Sequence, residues 1–230
     1  PIWIEYQLTL TNYLFKVEQY DSCYKVCTSL LKTLSKDNTA NDQLFYTVVK
    51  MGNSLEKMQS MKQALPYYER AYHIGKTNGQ LPKRLQGLNL IAGAYLSLNE
   101  LDSVEKYTKH LVSINSVRDS LLLIPTFNYV DVNIAIESFE RLAKVSFLRY
   151  QAGNKGVDLN LAVDNIQVAL QLIKIKRATL QFESDQFEFS DFVEEAFRLA
   201  IDIYYETWHQ TAQLEALESM FEVTELNRTQ

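Results

Sequence analysis

Glycine and proline are scarce in this 230-residue chain, seven and four in all, so little punctuates it. Against abundant Leu, Ala, Glu, Lys and Gln, that scarcity argues for long helices and short loops rather than many strands. Cysteine is scarcer still. Cys23 and Cys27 stand one helical turn apart on an apolar face, a spacing that makes a poor crosslink and suits a reduced, intracellular protein. No apolar run approaches the roughly 18 residues needed to span a bilayer, and no signal-peptide pattern opens the chain. The expectation is a cytoplasmic protein without a membrane. Because it begins at Pro1 without a methionine, the chain reads as an excerpt from which a targeting segment could have been removed.

Chemistry-bearing patterns are equally thin. His73, His110 and His209 are separated from one another and from the cysteines by whole helices, and there is no His-Glu-x-x-His, phosphate-cradling glycine loop or Cys-x-x-Cys. A metal site from Cys23, Cys27 and a distant histidine competes with a reduced core pair, and the core pair is the simpler reading. No catalytic residue, metal or cofactor is expected. Nor is Lys and Arg concentrated enough for nucleic acid, the run Lys174, Lys176, Arg177 being short enough to face water.

What is present is aromatic, periodic and unevenly charged. Fourteen tyrosines and eleven phenylalanines supply bulky filler, which at helical spacing is more often core than a binding box. Residues 183–230 carry twelve Asp or Glu against Arg198 and Arg228, a net -10, which leaves +5 over residues 1–182. An acidic helical face is usually just solvated; a basic partner is the sharper alternative.

The organising stretch is Phe45 to Asn78. Met51-Gly52, Leu55, Ala64, Tyr68 and Ala71 fall at offsets that fit two antiparallel helices touching closely at Gly52 and Ala64. The second helix is placed near Met61 or Lys62, with Pro66 inside its first turn, where a missing N–H does no harm, and with Gly75 and Gly79 ending it. A weaker copy precedes it, with Thr11, Cys23, Cys27 and Leu30 standing for Gly52, Ala64, Tyr68 and Ala71, and with Asp21 or Ser22 as caps. In that copy Ile2, Trp3, Tyr6, Leu10, Tyr13 and Leu14 share one apolar face. A third copy carries Ile91-Ala92, Tyr95, Leu98, Leu101 and Val104, with Leu111 where alanine is expected. Beyond Pro125, a fourth pair runs from Val132 to Gln151 and from Leu159 to Phe182, with Gly153 and Gly156 in its loop and Ala162, Ile166 and Ala169 keeping the pattern. The last pair is Phe189–Trp208 and Thr211–Leu226, with Ser190 as a capped start.

This small–small–aromatic–alanine spacing resembles the tetratricopeptide repeat. The resemblance implies an all-α, TPR-like α-solenoid of about five antiparallel helix pairs in a right-handed superhelix. Pairs fall near 2–36, 41–78, 82–118 and 126–182, with an acidic pair over 183–230 continuing the array. The steps of 41 and 40 residues exceed the roughly 34 of the standard repeat. It also implies a non-catalytic scaffold that binds a protein or peptide through its concave groove. Asn12 and Lys16, matched by Asn53 and Lys57, with Asn89 and Gly93, would line that groove, the amides meeting a peptide backbone and the ammoniums a carboxylate; the alternative is that they are ordinary exposed helix residues. The run from Phe182 to Arg228 resembles the helical segment before the caspase-like peptidase domain of bacterial CHAT proteins. It departs at Leu226-Asn227-Arg228, where that family tends to have a Ser-Lys pair. That resemblance implies a regulatory half whose effector domain lies downstream.

Overall fold

The computed structural model describes residues 2–35, 41–116, 129–153 and 155–228, and among them the only non-helical pairing is one antiparallel bridge between Ser116 and Tyr129. The described residues form ten helices: α1 (Ile2–Lys16), α2 (Tyr20–Leu34), α3 (Asn41–Lys57), α4 (Met61–Thr77), α5 (Leu81–Ser97), α6 (Leu101–Asn115), α7 (Val132–Gly153), α8 (Gly156–Thr179), α9 (Glu183–Thr211) and α10 (Leu214–Arg228). Pro125 and the expected pair ends at 36, 117–118 and 126–128 lie outside the described residues, as do positions 38–40 of the first connection. Packing divides the chain into two units, Pro1–Tyr107 and Thr108–Gln230. In the second unit α7, α8, α9 and α10 share one core through Ile136, Ile166, Phe197, Ile203 and Val223.

In the first unit each helix packs on its sequence neighbour, as in a quasi-one-dimensional stack. The long repeat step lies in the helices themselves. Both α3 and α4 have 17 residues, and turns of about three residues complete the 40-residue period.

Those turns repeat too. Glu18, Gln59 and Asn99, one to a copy, adopt the left-handed conformation at φ 61, 58 and 57°. In each, the next residue's N–H reaches back five positions: Gln19 to Leu14 O at 2.9 Å, Ser60 to Leu55 O at 2.8 Å and Glu100 to Tyr95 O at 3.0 Å. This is the Schellman closure, for which glycine is the usual residue. An L side chain there costs about 1–2 kcal/mol, partly offset by the larger unfolded freedom of glycine. Gln59→Gly is therefore expected to stabilise the protein by about 0.5–1 kcal/mol, and Asn99→Gly by less because asparagine tolerates this backbone. Thermal unfolding checks it, and an unchanged or lower midpoint for Gln59→Gly contradicts the argument.

Several local expectations are corrected by the packing. Gly52 and Ala64 are both buried, but what fills the space over Gly52 is the Tyr68 ring; a Cβ there would lie 2.4 Å from Tyr68 Cε1. Between α4 and α5 two glycines do meet backbone atoms. A Cβ on Gly75 would meet the Arg84 nitrogen at 2.6 Å, and one on Gly87 would meet Tyr72 Cα at 2.6 Å. Gly75 therefore lies inside α4 as a packing contact, and Gly79, at φ 65°, makes the turn. Pro66 is the sixth residue of α4, past the first turn, with both it and Lys62 exposed so that the unpaired Lys62 carbonyl faces water.

Helix starts also shift. The third helix begins at Asn41 rather than Leu44. Asp21 and Ser22 lie inside the first turn of α2, whose N-cap is Gln19, and Asp21 bonds Lys25. Gly153 ends α7 and Gly156 opens α8. Ser190 is interior to α9, which starts at Glu183, and Thr211 closes that helix before left-handed Ala212. The apolar face of α1 is corrected most: Ile2, Trp3, Tyr6 and Tyr13 are exposed, and the core is met instead by Ile4, Leu8, Thr11, Leu14 and Phe15.

In the second unit a polar clasp joins the end of α6 to the start of α7. Buried Asn115 donates to the Asp131 carbonyl at 2.7 Å and accepts from the Asp131 N–H at 2.8 Å, while the Asp131 carboxylate caps α7 by accepting from the Ile134 N–H at 3.0 Å. On α7, burial pushes the Glu140 carboxyl up to about 7, with Arg141 and Lys144 opposing and Glu195 and Glu137 reinforcing. The fold thus holds a proton that the unfolded chain releases near 4.5, so stability is lost as pH rises from there through about 7. Glu140→Gln removes that dependence. Its stability relative to wild type is expected to rise by roughly 2 kcal/mol between pH 4.5 and 8. Urea unfolding at several pH values reads this, and a pH-independent difference would contradict it.

Candidate functional site

The sequence-selected polar residues fall on the first helix of each pair in the first unit. Asn12 and Lys16 are exposed on α1, Lys57 is exposed on α3, and Asn53 is half-buried. By the 41- and 40-residue steps, Asn12, Asn53 and Gly93 are equivalent, and so are Lys16, Lys57 and Ser97. Asn89 is one turn earlier, in the register of Val49, half-buried and already engaged by a neighbour. Nothing stands within 4 Å of where a Gly93 Cβ would be, so that position opens onto unfilled space. The repeat residues are packed: Leu55, Ala64, Tyr68, Ala71 and Ala92 are buried in the first unit, Ala162 and Ala169 are buried in the core of the second, and Tyr95 is half-buried against Tyr107 in a stacked pair at 5.3 Å.

Asn53 is held from below. The Tyr68 hydroxyl stands 2.5 Å from a Glu56 carboxylate oxygen and 3.1 Å from the Asn53 amide. A hydroxyl has one proton and a carboxylate only accepts, so the proton goes to Glu56. Turning the Asn53 amide then lets its NH2 donate to the Tyr68 oxygen, leaving its carbonyl for a ligand. Burial, then the Glu56 hydrogen bond and charge, push the Tyr68 phenol far above its ordinary value and keep it a donor.

Two further residues join this face that the sequence reading did not single out. Lys50 lies one turn before Asn53, and its ammonium sits 4.6 Å from the Phe15 ring centroid, bridging α3 to α1. Tyr46, one turn earlier again, is 56% exposed. The 4-3-4 spacing Tyr46, Lys50, Asn53, Lys57 was the available signal, hidden because only positions matched in two copies were compared. Cys23 and Cys27 are buried, free thiols; Cys23 donates to the Thr11 carbonyl at 3.4 Å, and the contact with Cys23 together with burial holds the Cys27 thiol far above its ordinary range. These are core groups. Among the described residues, no group of three or more His, Cys, Asp or Glu could hold a metal ion, and no helix is long and apolar enough to cross a membrane. In the second unit a cleft of about 650 Å³ opens between α8 and α10 over Tyr204, with Lys174 on one wall and Glu222 and Glu225 on the other. None of the sequence-selected residues lines it.

Known structures decide the fold. BtubC (BKLC) from P. vanneervenii superposes with a TM-score of 0.66 at 15% identity, covering 99% of this chain and 82% of that one. The fold is a tetratricopeptide-type α-solenoid. A kinesin-light-chain protein of Podosopora anserina with nearly identical TPR-like repeats gives a TM-score of 0.60 at 15% identity, covering 99% of this chain and 97% of that one. The apo form of RapI gives 0.55 at 11%, covering 98% and 82%. No family model matches the sequence, and no curated protein matches it.

Proposed function

We propose that the first unit is a non-catalytic scaffold that binds an extended peptide along the first-helix face carrying Asn12, Lys16, Lys50, Asn53 and Lys57, with Gly93 leaving room for a bulky ligand side chain. One observation carries the reading: the Asn53 amide is fixed by Tyr68 and Glu56 while Lys57 beside it stays exposed. An oriented amide next to ammoniums suits a peptide backbone with a carboxylate nearby. The ammoniums favour acidic peptides although the whole chain carries -5. The resemblance to arrays that precede caspase-like peptidases would make this face the regulatory input of a longer protein, and the binding experiment is common to both.

Peptides with free C-termini selected from a random display library on the 230-residue chain provide the probe. The double variant Lys16→Glu, Lys57→Glu is expected to weaken the selected peptides at least about tenfold, or about 1.4 kcal/mol, while its circular dichroism and melting midpoint stay near wild type, both side chains being exposed. Undiminished affinity removes these lysines from the site.

A further inference from the structure

The cleft between α8 and α10 is open because of two particular residues. The second helices keep one inward register: Cys23, Cys27 and Leu30 on α2, Ala64, Tyr68 and Ala71 on α4, Ala162, Ile166 and Ala169 on α8, and Ala216, Met220 and Val223 on α10, all buried except half-buried Met220. In that register the gap between α2 and α4 is bridged by Tyr24 and Tyr67, whose hydroxyls lie 2.7 Å apart and whose rings meet edge to face at 6.1 Å. The corresponding residues of α8 and α10 are Val163 and Ser219. Without the two phenol rings a cleft of about 650 Å³ stays open, within the size range of small-molecule sites. A further repeat helix packed on α10 would not fill it. On α4 the residues that meet the following helix, α5, are Tyr68, Tyr72 and Gly75; their α10 equivalents, Met220, Thr224 and Asn227, lie outside the lining of the cleft.

The chemistry of the cleft is two-signed. Lys174 on the α8 wall and Glu222 on the α10 wall are exposed and, among the described residues, neither ion-paired nor hydrogen-bonded, whereas Glu225 is taken by Arg228 at 2.9 Å. Between the two charges Gln167 and Gln171, one turn apart on α8, offer amides that both donate and accept. Tyr204, 4% exposed, forms the floor with Gln167 beside its hydroxyl, and Leu170 and Leu226 are apolar lining. The geometry points to a binding site for a free peptide of two or three residues, its ammonium at Glu222, its carboxylate at Lys174, its peptide group against the glutamines and an apolar side chain on Leu170 and Leu226. A ligand of one sign satisfies one wall and is repelled by the other. A single amino acid carries both charges on one carbon, too close together for partners on separate helices, while two or three extended residues separate them by about 7–10 Å. The site lies in the second unit and does not rest on the peptide-binding reading of the first.

Titration of the full 230-residue chain with the free peptides Leu-Leu, Gly-Leu, Leu-Gly and Leu-Gly-Leu, read by calorimetry and by amide chemical shifts, tests this. Saturable binding below about 1 mM is expected, weakened at least about tenfold by acetylating the peptide's amine or amidating its carboxylate. Lys174→Gln is expected to erase the penalty for the amidated form alone, and Glu222→Gln that for the acetylated form alone, with circular dichroism unchanged because both side chains are exposed. Ser219→Tyr, which restores the tyrosine of α4, is expected to abolish binding, whereas Lys16→Glu with Lys57→Glu leaves it intact and so separates this site from the first-unit face. Four results overturn the inference: no saturable signal from any of the four peptides up to about 1 mM; equal affinity for free and capped forms; capping penalties that survive both Lys174→Gln and Glu222→Gln; or undiminished binding by a folded Ser219→Tyr variant.

Discussion

Gly87→Ala is expected to destabilise the protein by about 3 kcal/mol, near the upper end for overpacking, whereas Gly93→Ala, six residues along the same helix, is expected to stabilise it by up to about 1 kcal/mol. Both add one methyl group to α5 and gain the same helix propensity. Their surroundings differ. A Cβ at Gly87 would lie 2.6 Å from Tyr72 Cα and 2.7 Å from its nitrogen, backbone atoms that move only if α4 moves; at Gly93 nothing lies within 4 Å. At about 2–4 °C per kcal/mol for a chain of this size, the melting midpoint falls by about 6–12 °C in the first variant and rises by about 2–4 °C in the second. Equal shifts would mean that α4 and α5 do not approach as closely as described.

Asn115→Ala is expected to cost about 3 kcal/mol, because it strips partners from the Asp131 N–H and carbonyl at a residue with no solvent exposure. Asn115→Asp separates the two hydrogen bonds. Its carboxylate still accepts from the Asp131 N–H but cannot donate to the carbonyl, and its charge is buried. Burial raises the folded-state value of such an acid, so stability present at low pH is lost as pH rises through it. Asn115→Asp should therefore be worse than Asn115→Ala at pH 8 and recover part of the loss near pH 4. Urea titrations at the two pH values decide this, and an Asp variant insensitive to pH would contradict the clasp.

Much of the helix inventory was legible because apolar periodicity, turn residues and repeat spacing report local preference. Asn99 in its turn and the shared register of Cys23 and Ala64 needed no coordinates, since an interrupted period and a small residue in a seam leave a trace along the chain. The binding face was half legible: Asn53 and Lys57 stand out by their match to Asn12 and Lys16, while Lys50 has no lysine equivalent and becomes visible only through its contact with Phe15.

From its order of residues alone, this protein was committed to being helical, to pairing its helices with their neighbours and to repeating at about forty residues, because those properties follow from short-range periodicity. Only the tertiary packing decided what each special residue does. Gly75 reads as a stop in sequence and is a contact in space, since glycine serves both purposes and the backbone of Arg84 selects one. The aromatics of α1 read as core and lie in water, since periodicity identifies an apolar face but not whether another helix covers it.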